Sequence, residues 1–154
     1  MRILLDTNVL VAAFATRGFC LDILQLVLAE HRLVAGETVL IELERTLRDK
    51  LRMPDARIAE VVGFVREHAD LAAPGEPAPW PDIDSDDRWI VATALAGSAD
   101  VLVTGDRDLL DAGAAAPPRV VTPRGLWELL RAGGDPEHGE RVREPSRSRG
   151  RDGG

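Results

Sequence analysis

Short apolar segments alternate with segments of helical spacing along most of this 154-residue chain. The short runs predict β-strands, and apolar residues that recur at intervals of three and four predict amphipathic helices. The predicted strands are residues 2–5, 32–35, 70–72, 101–103 and 119–121. Strands that alternate with helices favour a parallel sheet covered on both faces. We therefore predict an α/β fold of three layers, in which a parallel sheet of about five strands is flanked by helices.

The predicted helices lie between these strands and after the last one, over residues 9–14, 19–28, 39–51, 58–65, 84–96, 106–110 and 123–130. Gly36 interrupts the pattern between the second strand and the third helix, and Pro54 ends that helix. Four prolines between Ala73 and Asp82 are incompatible with the interior of a helix or of a central strand. We expect this segment to be a loop inside a single domain.

A composition of 45% hydrophobic and 29% charged residues is ordinary for a water-soluble globular protein. The sequence has no apolar run of about 18 residues and no basic leader segment, so we expect no membrane association and a cytoplasmic location. Cys20 is the only cysteine, which excludes an intramolecular disulfide and fits a reducing compartment. Its apolar neighbours Phe19 and Ile23 predict that it packs on a helix face.

Negative charge is concentrated in the first part of the chain. The formal net charge is -7, and from Ala132 onward five arginines balance five acidic residues, so residues 1–131 carry the whole excess. Apolar spacing also ends near Ala132, and such a segment cannot bury enough apolar surface to offset the entropy of ordering. We predict a domain over residues 1–131 and a disordered tail over residues 132–154.

Two aspartates stand where predicted strands end. Asp6 follows the first strand and Asp106 follows the fourth. If these strands are parallel neighbours, both carboxylates lie at the carboxyl edge of the sheet, where open α/β sheets bind ligands. Converging carboxylates repel each other unless a cation lies between them. A divalent metal is the simplest such cation, and it points to phosphoryl or phosphodiester chemistry.

The alternative for both aspartates is that they only cap helices. Asn8 is the better candidate for capping the first helix, which leaves Asp6 free for another function. Thr104 is expected to fix the turn before Asp106, and Gly105 to adopt a positive φ or to let a ligand approach the backbone. We interpret Asp108 as a solvated residue or a helix cap, with indirect support of a metal as the alternative.

Further acidic residues lie on predicted helices. Asp87 shares a helix face with Ile90 and Ala94, so its carboxylate heads an apolar stripe that points at the sheet. The simpler interpretation is that it favours the helix dipole, as its more solvated neighbours Asp84 and Asp86 do. In the third helix, periodicity does not distinguish Glu42 from Glu44.

Four segments together resemble the PIN-domain nucleases, especially the VapC-like toxins of prokaryotic toxin–antitoxin pairs. They are LDTNVL at 5–10, LIEL at 40–43, DDRWIVA at 86–92 and ADVLVTGD at 99–106, in the family's order. The resemblance covers about residues 2–130. It implies a parallel sheet with the first strand central and the fourth beside it. The arginine-containing tail is not part of the family pattern.

The resemblance also implies a function and a site. Asp6, Glu42, Asp87 and Asp106 would form an acidic quartet that binds Mg²⁺ or Mn²⁺ and is catalytic, with Asn8 and Thr104 in support. The activity implied is metal-dependent endoribonuclease, and the role is that of a toxin. The partners implied are an RNA substrate and a small antitoxin protein, and we expect a homodimer.

Other classes of protein remain as alternatives. A PIN fold without catalysis would only bind RNA or a protein. An α/β phosphoacceptor domain usually needs a lysine after its last strand, where this chain has Arg124, and the only lysine is Lys50. A haloacid-dehalogenase-type phosphatase would need a second aspartate where Asn8 stands. No Gly-x-Ser-x-Gly turn or phosphate loop followed by Lys supports a serine hydrolase or a P-loop enzyme.

Overall fold

The computed structural model describes residues 1–80, 83–113 and 117–133. Within these residues the strands are β1 (Arg2–Leu5), β2 (Arg32–Gly36), β3 (Asp70–Ala72), β4 (Val101–Val103) and β5 (Arg119–Val121). All pairings are parallel, and the order in the sheet is β3-β2-β1-β4-β5. The predicted α/β fold with a parallel sheet is confirmed, including the central position of β1 with β4 beside it.

The helices cover both faces of this sheet. They are α1 (Thr7–Ala15), α2 (Phe19–Glu30), α3 (Glu37–Asp49), α4 (Asp55–His68), α5 (Ser85–Ala96), α6 (Arg107–Ala112) and α7 (Pro123–Ala132). Successive side chains of a strand point to opposite faces. Accordingly, Ile3 and Leu5 pack in one core with α1 to α4 and α7, whereas Leu4 packs in the other core with α5 and α6.

The junction between β2 and α3 has no linker. The sequence predicted a break at Gly36, but Gly36 is the last residue of β2 and also the N-cap of α3. A Cβ at this position would lie 2.7 Å from the carbonyl oxygen of Ala72 and 2.8 Å from Cγ2 of Thr93. Glycine is therefore required here by the close approach of β3 and α5, and α3 starts two residues earlier than predicted.

The proline-containing segment before α5 contributes to the core although it was predicted only as a loop. Ala78, Trp80 and Ile83 are buried in the core that contains α5, and the amide of Ala78 donates to the carbonyl of Arg88 at 3.1 Å. This contact holds the segment against the first turns of α5. Residues 81–82 of the predicted loop lie outside the described residues.

Two further expectations concern the helices and the tail. Cys20 packs partly buried against the core, as predicted. The predicted tail lies outside the described residues from position 134 onward. In the described part of the chain, no single helix is long and apolar enough to cross a membrane. Only α1 and α2 taken together have the required length and apolar composition, and the angle between them is 107°.

Candidate active site

The ends of β1 and β4 lie side by side at the carboxyl edge of the sheet. Leu5 is in register with Val103, and the amide of Asp6 donates to the carbonyl of Val103 at 2.8 Å. The amide of Thr104 donates in turn to the carbonyl of Val121 at 2.9 Å, which continues the ladder towards β5. Sheet hydrogen bonds thus fix the positions of the residues that follow both strands.

Asp6 is buried, with 4% of its surface exposed. Its Oδ1 accepts from the Thr7 amide at 2.7 Å, and its Oδ2 accepts from the Thr104 hydroxyl at 2.7 Å. Burial raises the pKa of Asp6, and these two hydrogen bonds oppose that rise. Asp6 is also the N-cap of α1, so the prediction that Asn8 takes this position is wrong. Asn8 lies exposed in the first turn of α1.

The turn after β4 is organised by Thr104, which is fully buried. Its hydroxyl donates to Asp6 and accepts from the amide of Asp106 at 3.0 Å. The expected role of Thr104 in fixing the turn is therefore present in the structure. Gly105 was expected either to adopt a positive φ or to let a ligand approach the backbone. The expectation of a positive φ is wrong, because no described glycine has one.

Asp106 follows this turn as the N-cap of α6, and its Oδ1 accepts from the Asp108 amide at 2.9 Å. The prediction of Asp108 as a possible cap is wrong, because it is the second residue of α6, two positions after the N-cap. The prediction of Asp108 as a solvated residue is correct, because its side chain is exposed.

Asp87 reaches the same edge from the first turn of α5. Burial and the negative charges of Asp106, Asp6 and Asp84 raise its pKa to about 7. Its helix face was predicted to point at the sheet, and Ile90 and Ala94 are indeed buried beneath it. Helix-dipole stabilisation alone would lower this pKa, so burial, followed by the charges of the other carboxylates, outweighs it.

Glu42 is the acidic residue that α3 brings to this site. Its Oε2 accepts from the Thr7 hydroxyl at 3.2 Å. Burial raises its pKa, the Thr7 hydrogen bond opposes the rise, and the charges of Asp6 and Asp86 add to it. Glu44, which periodicity could not separate from Glu42, is paired on another side of the helix with Arg48 at 2.8 Å.

Thr7 is the residue that sequence reasoning missed. It is 1% exposed, its amide binds Asp6 and its hydroxyl binds Glu42. The sequence assigned it only to turn chemistry at the start of a helix. The sequence signal for Thr7 was its position directly after Asp6, since the first residues of a helix have free amides that bind a nearby anion such as a carboxylate.

We call the four acidic residues of the predicted quartet the acidic site: Asp6, Glu42, Asp87 and Asp106. The charge of Asp6 acts on Glu42 and on Asp87, and the charge of Asp106 acts on Asp6 and on Asp87. Among the described residues, no group of three or more Asp, Glu, His or Cys side chains lies close enough together to hold a metal ion. Mg²⁺ usually binds one or two carboxylates and keeps several waters, so an open set of hard oxygen ligands with unneutralised charge fits this ion and Mn²⁺.

Comparisons with known proteins agree with this architecture. The family model described as PIN domain matches residues 2–108. A chain in the crystal structure of VapBC2 from Rickettsia felis bound to a DNA fragment from their promoter is similar in fold, with a TM-score of 0.56. The two are 15% identical, and the match covers 79% of this chain and 97% of that chain, so the likeness concerns the fold alone. No curated protein sequence matches the chain.

Proposed function

Because the PIN-domain match spans residues 2–108, this chain belongs to the PIN-domain family, and from that premise we propose that it is a metal-dependent endoribonuclease. The observation that carries the proposal is the buried Asp6 carboxylate, held by Thr104 and Thr7 within the electrostatic reach of Glu42, Asp87 and Asp106. Several repelling carboxylates at a sheet edge destabilise a metal-free protein, and a function that needs a cation accounts for them.

Asp6, Glu42, Asp87 and Asp106 would hold Mg²⁺ or Mn²⁺. When bound, such an ion lowers the pKa of water and neutralises charge on a phosphate that is being cleaved. The chain's own contribution is to orient the ligands. Thr104 fixes one oxygen of Asp6 and the backbone before Asp106, so that movement of one carboxylate is coupled to the other. Thr7 fixes Glu42 against α1 in the same way.

The role of a toxin and the partners follow from the resemblance of the four motifs to VapC-like proteins. We propose a small antitoxin as the partner that restrains the enzyme, and a homodimer as the assembly in the cytoplasm. A basic side chain of the antitoxin entering the acidic site would satisfy the carboxylates in the absence of metal, because bidentate arginine–carboxylate pairs are among the strongest charged hydrogen bonds.

The second candidate is a PIN domain that binds RNA or protein without cleaving it. Membership of the family removes support from the phosphoacceptor and phosphatase alternatives, but family membership alone does not separate an active domain from an inactive one. The complete acidic quartet favours the active one.

Cleavage of single-stranded RNA in the presence of Mn²⁺ or Mg²⁺ tests the proposal. The wild-type protein should cleave, and chelation by EDTA should stop it. Asp6→Asn and Asp106→Asn should abolish cleavage while the circular dichroism spectrum is retained. Asp22→Asn is the matched control, because Asp22 is exposed in the first turn of α2 and should leave cleavage unchanged. Full activity of Asp6→Asn would refute the assignment of the site.

A further inference from the structure

A groove of about 380 Å³ runs along the outer face of α3 and has Glu42 and Asp86 in its wall. We call it the α3 groove. Its floor includes the exposed side of the helix, where Ile41 is 53% exposed. The opposite side of α3 is buried against the sheet. The groove is therefore continuous with the acidic site through Glu42, and nothing in the catalytic proposal above accounts for the remainder of its lining.

Two basic residues line the α3 groove, Arg45 and Lys50. Among the described residues neither forms a salt bridge, whereas Arg48 on the same helix pairs with Glu44 at 2.8 Å and with Asp55 at 3.5 Å. Both groove residues are exposed. Arg48 is thus paired, whereas Arg45 and Lys50 form no salt bridge among the described residues and line the groove that adjoins the acidic site.

The position of Arg45 relative to Glu42 is close. Burial raises the pKa of Glu42, and the positive charge of Arg45 acts against that rise. From Glu42, Arg45 lies about 4.5 Å and Lys50 about 12 Å further along the helix axis, at 1.5 Å per residue. Arg45 and Lys50 are five positions apart, which is about 140° around the helix axis, so the two cations flank the Glu42 side of the groove from opposite sides. The hydroxyls of Thr38 and Thr46 lie in the same lining.

These donors match the chemistry of a nucleic-acid backbone. Phosphates are bound mainly by Arg and Lys, with hydroxyls of Ser and Thr as further donors. Ile41 offers an apolar surface for a base or a ribose. The lining also holds three carboxylates, Glu42, Asp49 and Asp86, against the two cations, so attraction to phosphate is local to Arg45 and Lys50. The junction with Glu42 favours a ligand whose phosphate must reach the acidic site.

On these grounds we propose that single-stranded RNA lies in the α3 groove, with Arg45 and Lys50 contacting phosphates on one side of the bond to be cleaved. The inference rests on the proposed function, since it takes RNA as the substrate. It adds the residues that attract a polyanion to a protein with a net charge of -7. A binding contribution from these cations should depend on salt, because each phosphate contact releases counterions.

The test uses the full chain and a mixed-sequence single-stranded RNA oligonucleotide. Arg45→Gln and Lys50→Gln are compared with Arg17→Gln, an exposed arginine without a salt bridge to described residues at the far end of α1 from Asp6. We expect each groove variant to raise Kd and KM by roughly five- to tenfold. The slope of log K against log salt should fall by about 0.7 for each lost contact. Arg45→Lys should restore most of the affinity because it keeps the charge.

The outcomes separate this inference from the proposed function. If the wild type cleaves RNA but both groove variants behave like Arg17→Gln in Kd and in salt slope, the groove assignment is wrong and the nuclease stands. If the wild type binds RNA with the expected dependence on Arg45 and Lys50 but never cleaves it, the groove assignment stands and the nuclease is wrong. If the groove variants weaken binding of a small protein partner and leave RNA binding unchanged, the groove is a protein site and the inference is overturned.

Discussion

Replacing Asp87 by asparagine should make the metal-free protein more stable at pH 8 than the wild type. The Asp87 pKa is raised from 3.8 to about 7, first by burial and then by the charges of Asp106 and Asp6. A raised carboxyl pKa stabilises the fold below the unfolded value, and that stabilisation is lost as the pH rises through the folded value. At pH 8 the wild type therefore carries an ionised, repelled Asp87, which asparagine removes.

The magnitude follows from the same shift. A rise from 3.8 to about 7 corresponds to at most about 4 kcal/mol for a fully shielded side chain. Asp87 is only partly buried, so solvent screening reduces this to about 1–2 kcal/mol. Loss of a carboxylate from the first turn of α5 costs about 0.5 kcal/mol. We expect Asp87→Asn to gain about 1 kcal/mol at pH 8, which is about 4 °C in Tm.

Urea unfolding in EDTA, followed by circular dichroism at pH 5 and pH 8, measures this effect. At pH 5 Asp87 is protonated in the folded wild type but ionised in the unfolded chain, so the variant should keep less than half of its advantage. Asp22→Asn serves as the control, since its exposed carboxylate has no acidic site around it. A gain of equal size at both pH values, or none at pH 8, would falsify the argument that repulsion in the acidic site raises this pKa.

Other changes test the remaining contacts. Millimolar Mn²⁺ should raise the Tm of the wild type by binding linkage, and an equal rise in Asp6→Asn would show that the ion binds elsewhere. Thr104→Val leaves a carboxylate oxygen and an amide without their partner, so it should cost about 1–3 kcal/mol in urea unfolding, whereas Thr104→Ser should retain most of the stability. Gly36→Ala places a Cβ 2.7 Å from a carbonyl oxygen and should destabilise the fold by about 1–3 kcal/mol. Gly63→Ala, where nothing lies within 4 Å, should stabilise α4 by up to about 1 kcal/mol in the same assay. Truncation after Gly133 should leave Tm and metal-dependent cleavage unchanged, and a loss of either would move the predicted domain boundary.

The sheet could be predicted from the sequence because strands buried on both faces are continuous apolar runs, and helices between them impose parallel pairing. Their boundaries were less accurate where packing decides them. Gly36 breaks a local pattern, yet β2 continues through it. Position 36 is a glycine because β3 and α5 approach too closely there for any side chain. Local propensity contains no information about that approach.

For the same reason, the acidic site could be predicted only in part from the sequence. Positions at strand ends predicted Asp6 and Asp106, since topology alone brings those ends together. Glu42 and Glu44 flank the buried Leu43 equally in sequence, and their partners distinguish them: Thr7 of α1 for Glu42, and Arg48, one turn further along α3, for Glu44. Asn8 has a high intrinsic preference for a cap, but the buried Asp6 already accepts the first amide.

The central position of β1 has a consequence for synthesis of the protein. β1 is the first strand to leave the ribosome, but its neighbour β4 begins at Val101, and Asp6 and Asp106 are 100 positions apart in sequence. At about 5–20 residues per second, roughly 5–20 s pass between the two. During this interval the nascent chain has at most three of its five strands and an incomplete acidic site. The order of strands thus delays assembly of the acidic site until Asp106 has been translated.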